Sequence, residues 1–439
     1  MSEAVDHKPF WLSGNFAPTF EEVTETQLTV TGSIPPELNG RYFRNGANPA
    51  NGESAHWFLG NGMLHGVELN NGKANWYKNR YVKTPALEDP NADAIMTMTD
   101  KSYSLANTHV IGHAGKILAL EEGHWPFEVS KDLDTVGAHN YDGKLETGMT
   151  AHPKICPKTG ELLFFSYSQM PPFMTYHRAD AAGNLVQTEV IEVKGATMVH
   201  DFNITENYVI FMDLPLIWDL SALANGIPIR WSDDYGARLG VMPRNGTNAD
   251  VKWYDIDPCY VYHPLNSYEE GNDIVIDVCR MAHSMKPNAP EVNPVLHRWT
   301  IHQDTGTVSE SQLDEHAVEF PRVPDALIGQ KHRFGYTAEF GGGQPAAVAF
   351  RKYDLQTGAS EAHALGAGRF GGEPVFVPAA DASNEDDGYL LSFVYDAADN
   401  RSELIIVDAA NVTSDPVARV HLPTRVPAGF HGSWIGDEA

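Results

Sequence analysis

The chain is short of several things, and each shortage removes a class of protein. It has three cysteines, Cys156, Cys259 and Cys279, in 439 residues. An odd number without a CxxC pair builds no disulfide framework, so a reduced, cytoplasmic setting is expected. Basic residues are scarce: 31 Lys and Arg stand against 58 Asp and Glu, a formal charge of −27. Nucleic acids and anionic membrane faces need basic patches, so neither is an expected partner. No run of 18 apolar residues occurs, which excludes a spanning helix. The first residues, MSEAVDHKPFW, show no basic n-region and no apolar h-region, and no signal peptide is expected. LGNGM (Leu59–Met63) lacks the GxxxxGK of a phosphate loop and reads as a turn. Long amphipathic helical patterns are missing as well. Pro215–Ala224 (PLIWDLSALA) alone suggests a short helix, over a pocket.

What is present is β-rich. Hydrophobic residues make up 42% of the chain and aromatic residues 10%, enough for a large core. Short runs of β-branched and aromatic residues recur, among them Lys116–Leu120, Glu161–Ser168, Tyr208–Met212, Asp273–Val278, Ala346–Tyr353, Tyr389–Tyr395 and Glu403–Val407. Gly, Asn and Asp flank each run, as they flank strands and hairpin turns. So many hairpins leave many strand edges, and a closed ring of four-stranded blades removes them. Without a crisp WD or kelch repeat, a large sandwich or a pair of barrels stays open on pattern alone. No segment reads as a linker, so residues 1–439 are expected to form a single domain.

There are 19 histidines. Most are expected to be surface or hydrogen-bonded core residues. Four differ in context. His152 (TGMTAHPK), His200 (MVHDFNIT), His263 (YVYHPLNSYEEG) and His431 (VPAGFHGSW) all lie at strand ends or tight turns. The gaps between them are 48, 63 and 168 residues. These are not the local spacings of zinc fingers or HExxH helices. They suit ligands delivered one per blade to a common axis.

Nearly end to end, the chain resembles the carotenoid cleavage oxygenases, a family that includes bacterial apocarotenoid oxygenases and lignostilbene dioxygenases. The resemblance runs through Ile34–Pro49 (IPPELNGRYFRNGANP), His56–Gly66 (HWFLGNGMLHG), LANTHV, LALEEGHWPF, MVHDFNIT, HPLNSYEEG, EFPRVP, GEPVFVP and GFHGSW. It implies an all-β, seven-bladed β-propeller with a loop and helix cap over a central iron site. It also implies Fe(II) held by His152, His200, His263 and His431, with O2 and a small apolar alkene as substrates. Glu122, Glu319 and Glu373 match the positions whose carboxylates orient three of those ligands, His200, His263 and His431; His152 has no such partner in the pattern. Alone, each glutamate reads as a surface charge, but their apolar flanks speak against that. Glu121 is expected to face outward by strand alternation. Thr108 is either a residue limiting access to an open iron position or a strand threonine. Leu59 and Asn61 depart from the Asp-containing turn of most members. Arg41, Arg44 and Asn45 are expected to be structural.

The resemblance implies oxidative cleavage of a conjugated carbon–carbon double bond into two carbonyl products. Two substrate classes remain: an apolar polyene of apocarotenoid type, or a stilbene or vinyl phenol. The lignostilbene pattern has a lysine immediately before the first orienting glutamate. Here Glu121 stands there, which favours the polyene. Phe58 is a candidate pocket wall; Phe127, Phe173, Met174 and Trp218 are candidate tunnel or lid residues, against a plain reading as core. Gln169–Met174 (QMPPFM) is a candidate for transient membrane contact, and no obligate protein partner is evident. A metal-free propeller binding protein is the alternative of another class. It has no use for four histidines and three glutamates at these positions. An isomerase or hydrolase on the same iron site is a third reading.

Overall fold

The computed structural model describes residues 8–89, 99–225, 227–290, 292–341 and 345–437. Local turn chemistry sets the hairpins. Ala114 and Gly115 both take positive φ (50° and 75°), as do Asn71 and Gly72 (47° and 74°). Two consecutive residues of that kind reverse a strand with the right twist for antiparallel pairing. His109–His113 thus folds onto Lys116–Leu120, and Met63–Asn70 onto Lys73–Tyr81. The expected strands appear at the expected places: Lys116–Leu120 as read, and others one to three residues longer or shorter, such as Leu162–Tyr167 and Asp273–Met281.

The strands group into seven blades. Blade 1 holds Thr24–Glu25, Gly40–Arg44, Met63–Asn70, Lys73–Tyr81 and the C-terminal strand Gly432–Gly436. Blade 2 runs from His109 to Ala138, blade 3 from Lys154 to Val190, and blade 4 from Asn203 to Ile256. Blade 5 runs from Tyr260 to Gln312. A ten-stranded sheet supplies the last two blades. Blade 6 spans Val318 to Ala364, and blade 7 is Val375–Pro378, Gly388–Asp396, Arg401–Asp408 and Ala418–His421. The short strand Arg369–Gly371 bridges them, pairing Gly371 with Ala347 and Phe370 with Tyr395.

Closure uses both ends of the chain. Thr29–Gly32 adds to blade 7 beside Ala418–His421, and Gly432–Gly436 adds to blade 1 beside Gly40–Arg44. The apolar core is divided the same way. Among the described residues, seven buried clusters each join two neighbouring blades. Leu118 and Leu120 meet Leu162 and Phe164 between blades 2 and 3. Met212 and Leu239 meet Ile276 and Trp299 between blades 4 and 5. Val67 and Tyr77 meet Leu391 and Leu404 between blades 7 and 1. A cluster at the 7–1 seam is what a closed ring requires and what an open sandwich lacks.

Pro215–Ala224 is only partly helical. Leu216–Trp218 pairs with Ile229–Trp231 as a two-stranded ribbon, and a 3₁₀ turn, Leu220–Asn225, connects them. Two β-branched or aromatic residues in Leu-Ile-Trp favour the extended form. Among the described residues, no helix is long and apolar enough to cross a membrane. Cys156, Cys259 and Cys279 are all buried and unpaired.

Candidate metal centre

Blades 2 to 7 begin with the strand nearest the axis, in blade 1 the C-terminal strand Gly432–Gly436 takes that place, and the residues just before or within these strands converge. Blade 1 delivers His431, blade 3 His152, blade 4 His200 and blade 5 His263. Blade 2 delivers Thr108 and His109, blade 6 Glu319, and blade 7 Glu373. A strand start is a fixed backbone point on a rigid sheet, so side chains far apart in sequence meet with little freedom.

The four imidazoles offer ligand atoms that all lie within 4.8 Å of one another. Ring centroids are 4.4 Å apart for His152 and His200, 4.5 Å for His152 and His431, and 4.7 Å for His263 and His431. His152, His263 and His431 are buried, and His200 is half-buried. Burial holds His152 and His431 well below the usual imidazole range and His263 at about 3, so these three are neutral donors. At His200 burial is the largest single influence and lowers basicity, but Glu122, Asp201 and Glu319 together outweigh it and the net shift is upward.

The other ring nitrogens are held by carboxylates. His263 Nδ1 donates to Glu319 Oε2 at 2.5 Å and His431 Nδ1 to Glu373 Oε1 at 3.2 Å. His200 Nδ1 is in direct contact with Glu122 Oε1. These are the three pairings expected, and each fixes a ring by the nitrogen that faces away from the cluster. The carboxylates are held in turn. Glu122 accepts from Tyr167, Glu319 from the Phe320 backbone, and Glu373 from the Gly432 backbone at 2.8 Å. Burial pushes the Glu319 carboxyl up to about 8, and its Oε1 has no hydrogen-bond partner. Phe320 takes φ +51°, an uncommon conformation for a bulky residue, and its ring lies 5.4 Å from His263 and 5.2 Å from His431.

The inward nitrogens have an unmet demand. His200 Nε2 and His263 Nε2 face each other at 3.1 Å, close enough to share one proton or one metal ion. His152 Nε2 is buried with no partner at all. One proton serves two nitrogens; a metal ion serves four. Neutral imidazole suits iron, zinc, copper and nickel, so the residues fit a divalent transition metal.

Thr108 lies at this centre. Its hydroxyl donates to Asn107 Oδ1 at 2.9 Å, and its carbonyl accepts from His431 N at 3.1 Å. Asn107 Nδ2 in turn holds the carbonyls of Phe58 and Gly60 at 2.9 and 2.8 Å. LGNGM is therefore more than a turn: a Cβ on Gly62 would lie 2.0 Å from the Ala106 carbonyl oxygen, so only glycine allows this approach. Phe58 sits beside Phe430, centroids 6.1 Å apart. Trp218 sits 6.3 Å from Tyr167, and Tyr262 5.3 Å from His200. Phe58, Tyr167, Trp218 and Tyr262 all pack, half-buried, on the core between blades 4 and 5.

Other expectations need correction. Phe127 is buried in the core between blades 1 and 2, with Phe43, Leu64 and Val110, because it begins a strand whose inward face must be filled. Met174 is buried between blades 3 and 4. Phe173 belongs to the hairpin loop after Leu162–Tyr167, where its carbonyl accepts from Ser168 N at 2.9 Å. Glu121 does not face outward. It accepts from Gly123 N at 2.7 Å, from His124 Nδ1 at 2.6 Å and from Leu105 N at 3.3 Å. Alternation failed as a guide because the strand ends at Leu120.

The sequence reading passed over His109 and Asp201. His109 donates from Nδ1 to the Ala151 carbonyl at 2.9 Å, and its ring lies 5.1 Å from His431. Its one signal was a place beside Thr108 in a stretch already singled out. Asp201 is buried beside His152, and its signal was adjacency to His200.

A seven-bladed propeller with four axial histidines, three of them braced by buried glutamates, defines a mononuclear non-haem metal enzyme. Residues 16–436 match the retinal pigment epithelial membrane protein (RPE65) family, and the chain belongs to that family, which is iron-dependent. It is 39% identical to the carotenoid cleavage oxygenase of Mycobacterium tuberculosis, covering 99% of both chains. It is 34% identical to the carotenoid 9,10(9',10')-cleavage dioxygenase of Crocus sativus, covering 98% of this chain and 89% of that one. The lignostilbene dioxygenase of Pseudomonas brassicacearum superposes with a TM-score of 0.89 at 29% identity, covering 97% and 98% of the two chains. Cobalt-substituted Synechocystis apocarotenoid oxygenase superposes with a TM-score of 0.85 at 25% identity, covering 95% and 97%. The chain is an alkene-cleaving oxygenase of this family.

Proposed function

We propose that the chain is a ferrous dioxygenase that splits one conjugated double bond of an apolar, apocarotenoid-like polyene into two carbonyl products. His152, His200, His263 and His431 are the metal ligands in this reading. The observation that carries it is the convergence of four imidazoles whose ligand atoms lie within 4.8 Å of one another, His152 Nε2 among them without a partner, and the outward bracing of three by Glu122, Glu319 and Glu373. Bound Fe(II) supplies one-electron chemistry toward O2. The chain's own residues do the rest. The glutamates hold the proton of each outer ring nitrogen, and four neutral ligands leave the metal's charge uncompensated. Phe58, Trp218 and Tyr262 offer flat apolar surface for a conjugated chain and exclude water, which positions the bond without gripping it. Thr108, its hydroxyl committed to Asn107, acts by size rather than by hydrogen bonding.

A polyene is favoured over a phenolic stilbene because the lysine position of the stilbene pattern holds Glu121, whose carboxylate is occupied by Leu105, Gly123 and His124. The compartment proposed is the cytoplasm, consistent with three buried free thiols. Substrate is proposed to arrive from a membrane. Met170, Leu220 and Leu223 are 68%, 73% and 54% exposed, on two segments joined by the Tyr167–Trp218 contact.

The test is turnover of apocarotenals, stilbenes and vinyl phenols by iron-loaded protein under 18O2. Two carbonyl fragments from an apocarotenal, each carrying 18O, are expected. Isomerised product of unchanged mass would replace cleavage by isomerisation. Intact substrate across the panel, with iron bound, would end the oxygenase reading.

A further inference from the structure

Glu122, Glu319 and Glu373 each reach their histidine directly. His152 is the exception: its Nδ1 lies 3.6 Å from Asp201 Oδ2. Asp201 is buried, and its Oδ1 accepts the Phe202 N–H at 2.6 Å. Lys154 Nζ takes hold of both oxygens, 2.8 Å from Oδ1 and 3.0 Å from Oδ2. Lys154 opens the innermost strand of blade 3, two residues after His152, and Asp201 follows His200 at the entry to blade 4. The ion pair thus ties two ligand-bearing strands and holds a carboxylate against the one imidazole without a glutamate. Burying an ion pair carries a desolvation penalty that its mutual attraction repays only in good geometry. A staple alone could be built from apolar residues; a carboxylate aimed at a ring nitrogen needs the charge.

We propose that Asp201 is the positioning residue for His152, and that Lys154 tempers it by engaging both carboxylate oxygens. The assignment rests on the reading of the four histidines as metal ligands. A carboxylate on the outer N–H raises the donor strength of an imidazole. His200, His263 and His431 each have a glutamate in direct contact, the one on His431 flanked by Arg322 at 3.5 Å. His152 faces a carboxylate shared with an ammonium and is left the weakest donor of the four. The centre is then graded, three strong ligands and one weaker, with Lys154 setting the difference.

The test loads the full-length protein with Co(II), whose visible absorption reports the ligand field. Asp201→Asn is expected to weaken Co(II) binding about 10–100-fold, the usual effect of losing such a partner, and to shift the absorption band. Lys154→Met is expected to shift the band the opposite way, because the carboxylate then acts on His152 undivided. Each single variant leaves one ion unpaired. The double variant leaves none, and is expected to fold and to show the Asp201→Asn spectrum. Asp201→Glu is expected to return the band toward wild type. Variants that bind Co(II) within twofold of wild type with an unmoved band would overturn the assignment. So would Asp201→Asn and Lys154→Met shifting the band in one direction in step with lowered thermal stability, the mark of a strand staple only. Wild type that takes up no Co(II) overturns the metal reading itself, and is distinguishable because it precedes any variant.

Discussion

The three glutamates are not equivalent, and the difference is local. Glu122 is held by Tyr167 and touches His200, Glu373 is held by Gly432 and flanked by Arg322 at 3.5 Å, and Glu319 has one oxygen with no partner. Replacement by glutamine keeps an acceptor for the ring N–H but removes the charge. We expect each of Glu122→Gln, Glu319→Gln and Glu373→Gln to lower metal affinity by about 10–100-fold. Glu373→Gln should also destabilise the fold most, because half-buried Arg322 would be left with Asp325, at 3.2 Å, as its remaining carboxylate. Metal content after dialysis and thermal unfolding of each variant check this; equal unfolding temperatures for all three would remove Arg322 from the account. At this scale the sequence was most legible where chemistry repeats a family motif: four histidines and three glutamates stand in stretches that match such motifs. Asp201, His109 and Tyr167 were not legible. Each acts through a neighbour in space, Asp201 on His152 across 49 residues and Tyr167 on Glu122 across 45, and no local pattern marks such a pair.

Strands were read from alternation and turn residues because both are local, and the structure agrees to within a few residues at each end. Side-chain destination was harder. Phe127 and Met174 look like pocket residues on composition, but each sits at a strand position whose face is closed by the next blade. Segments that leave the blades behave differently. The Leu216–Trp218 and Ile229–Trp231 ribbon and the loop after Leu162–Tyr167 carry Leu220, Leu223 and Met170 into solvent. Large apolar side chains exposed on segments linked by the Tyr167–Trp218 contact are what the proposed membrane-contact surface would present. With a net charge of −27, that surface should prefer neutral lipid, since anionic headgroups repel the rest of the molecule. We expect co-sedimentation with phosphatidylcholine vesicles, loss of most of it in Leu220→Asp with Leu223→Asp, and no gain on adding phosphatidylserine. Binding that survives both substitutions would assign the membrane contact elsewhere.

Ring closure is a property of the whole chain and could not be read from any part of it. The pairing of Thr31 with Arg419 joins residues nearly 400 positions apart, and only the completed ring explains why a C-terminal strand ends in blade 1. The same compactness buries histidines far from the metal centre. His177 lies in the middle of blade 3, hydrogen-bonded to Thr147 and Thr188 at 2.9 and 3.0 Å and stacked on Phe164. Burial lowers it to about 4, and His65, His113 and His332 are lowered by the same cause. An unfolded histidine binds its proton near 6.5, so in this window the unfolded chain takes up protons that the folded one refuses. The stability these groups contribute is therefore complete above about pH 6.5 and is lost as pH falls toward their folded values. For His177 the difference of about 2.5 pH units corresponds to about 3 kcal/mol. The acidic net charge acts the other way, since protonating carboxylates relieves self-repulsion, but most carboxylates titrate near 4, below this window. The histidines should dominate between pH 6.5 and 5. Thermal unfolding followed from pH 7.5 to 5 should show a falling midpoint in the wild type. His177→Gln should begin lower at pH 7.5, having lost a stacked ring, yet fall less steeply. Parallel pH slopes for the two proteins would show that His177 takes its proton equally well folded and unfolded, and the burial argument at that position would fail.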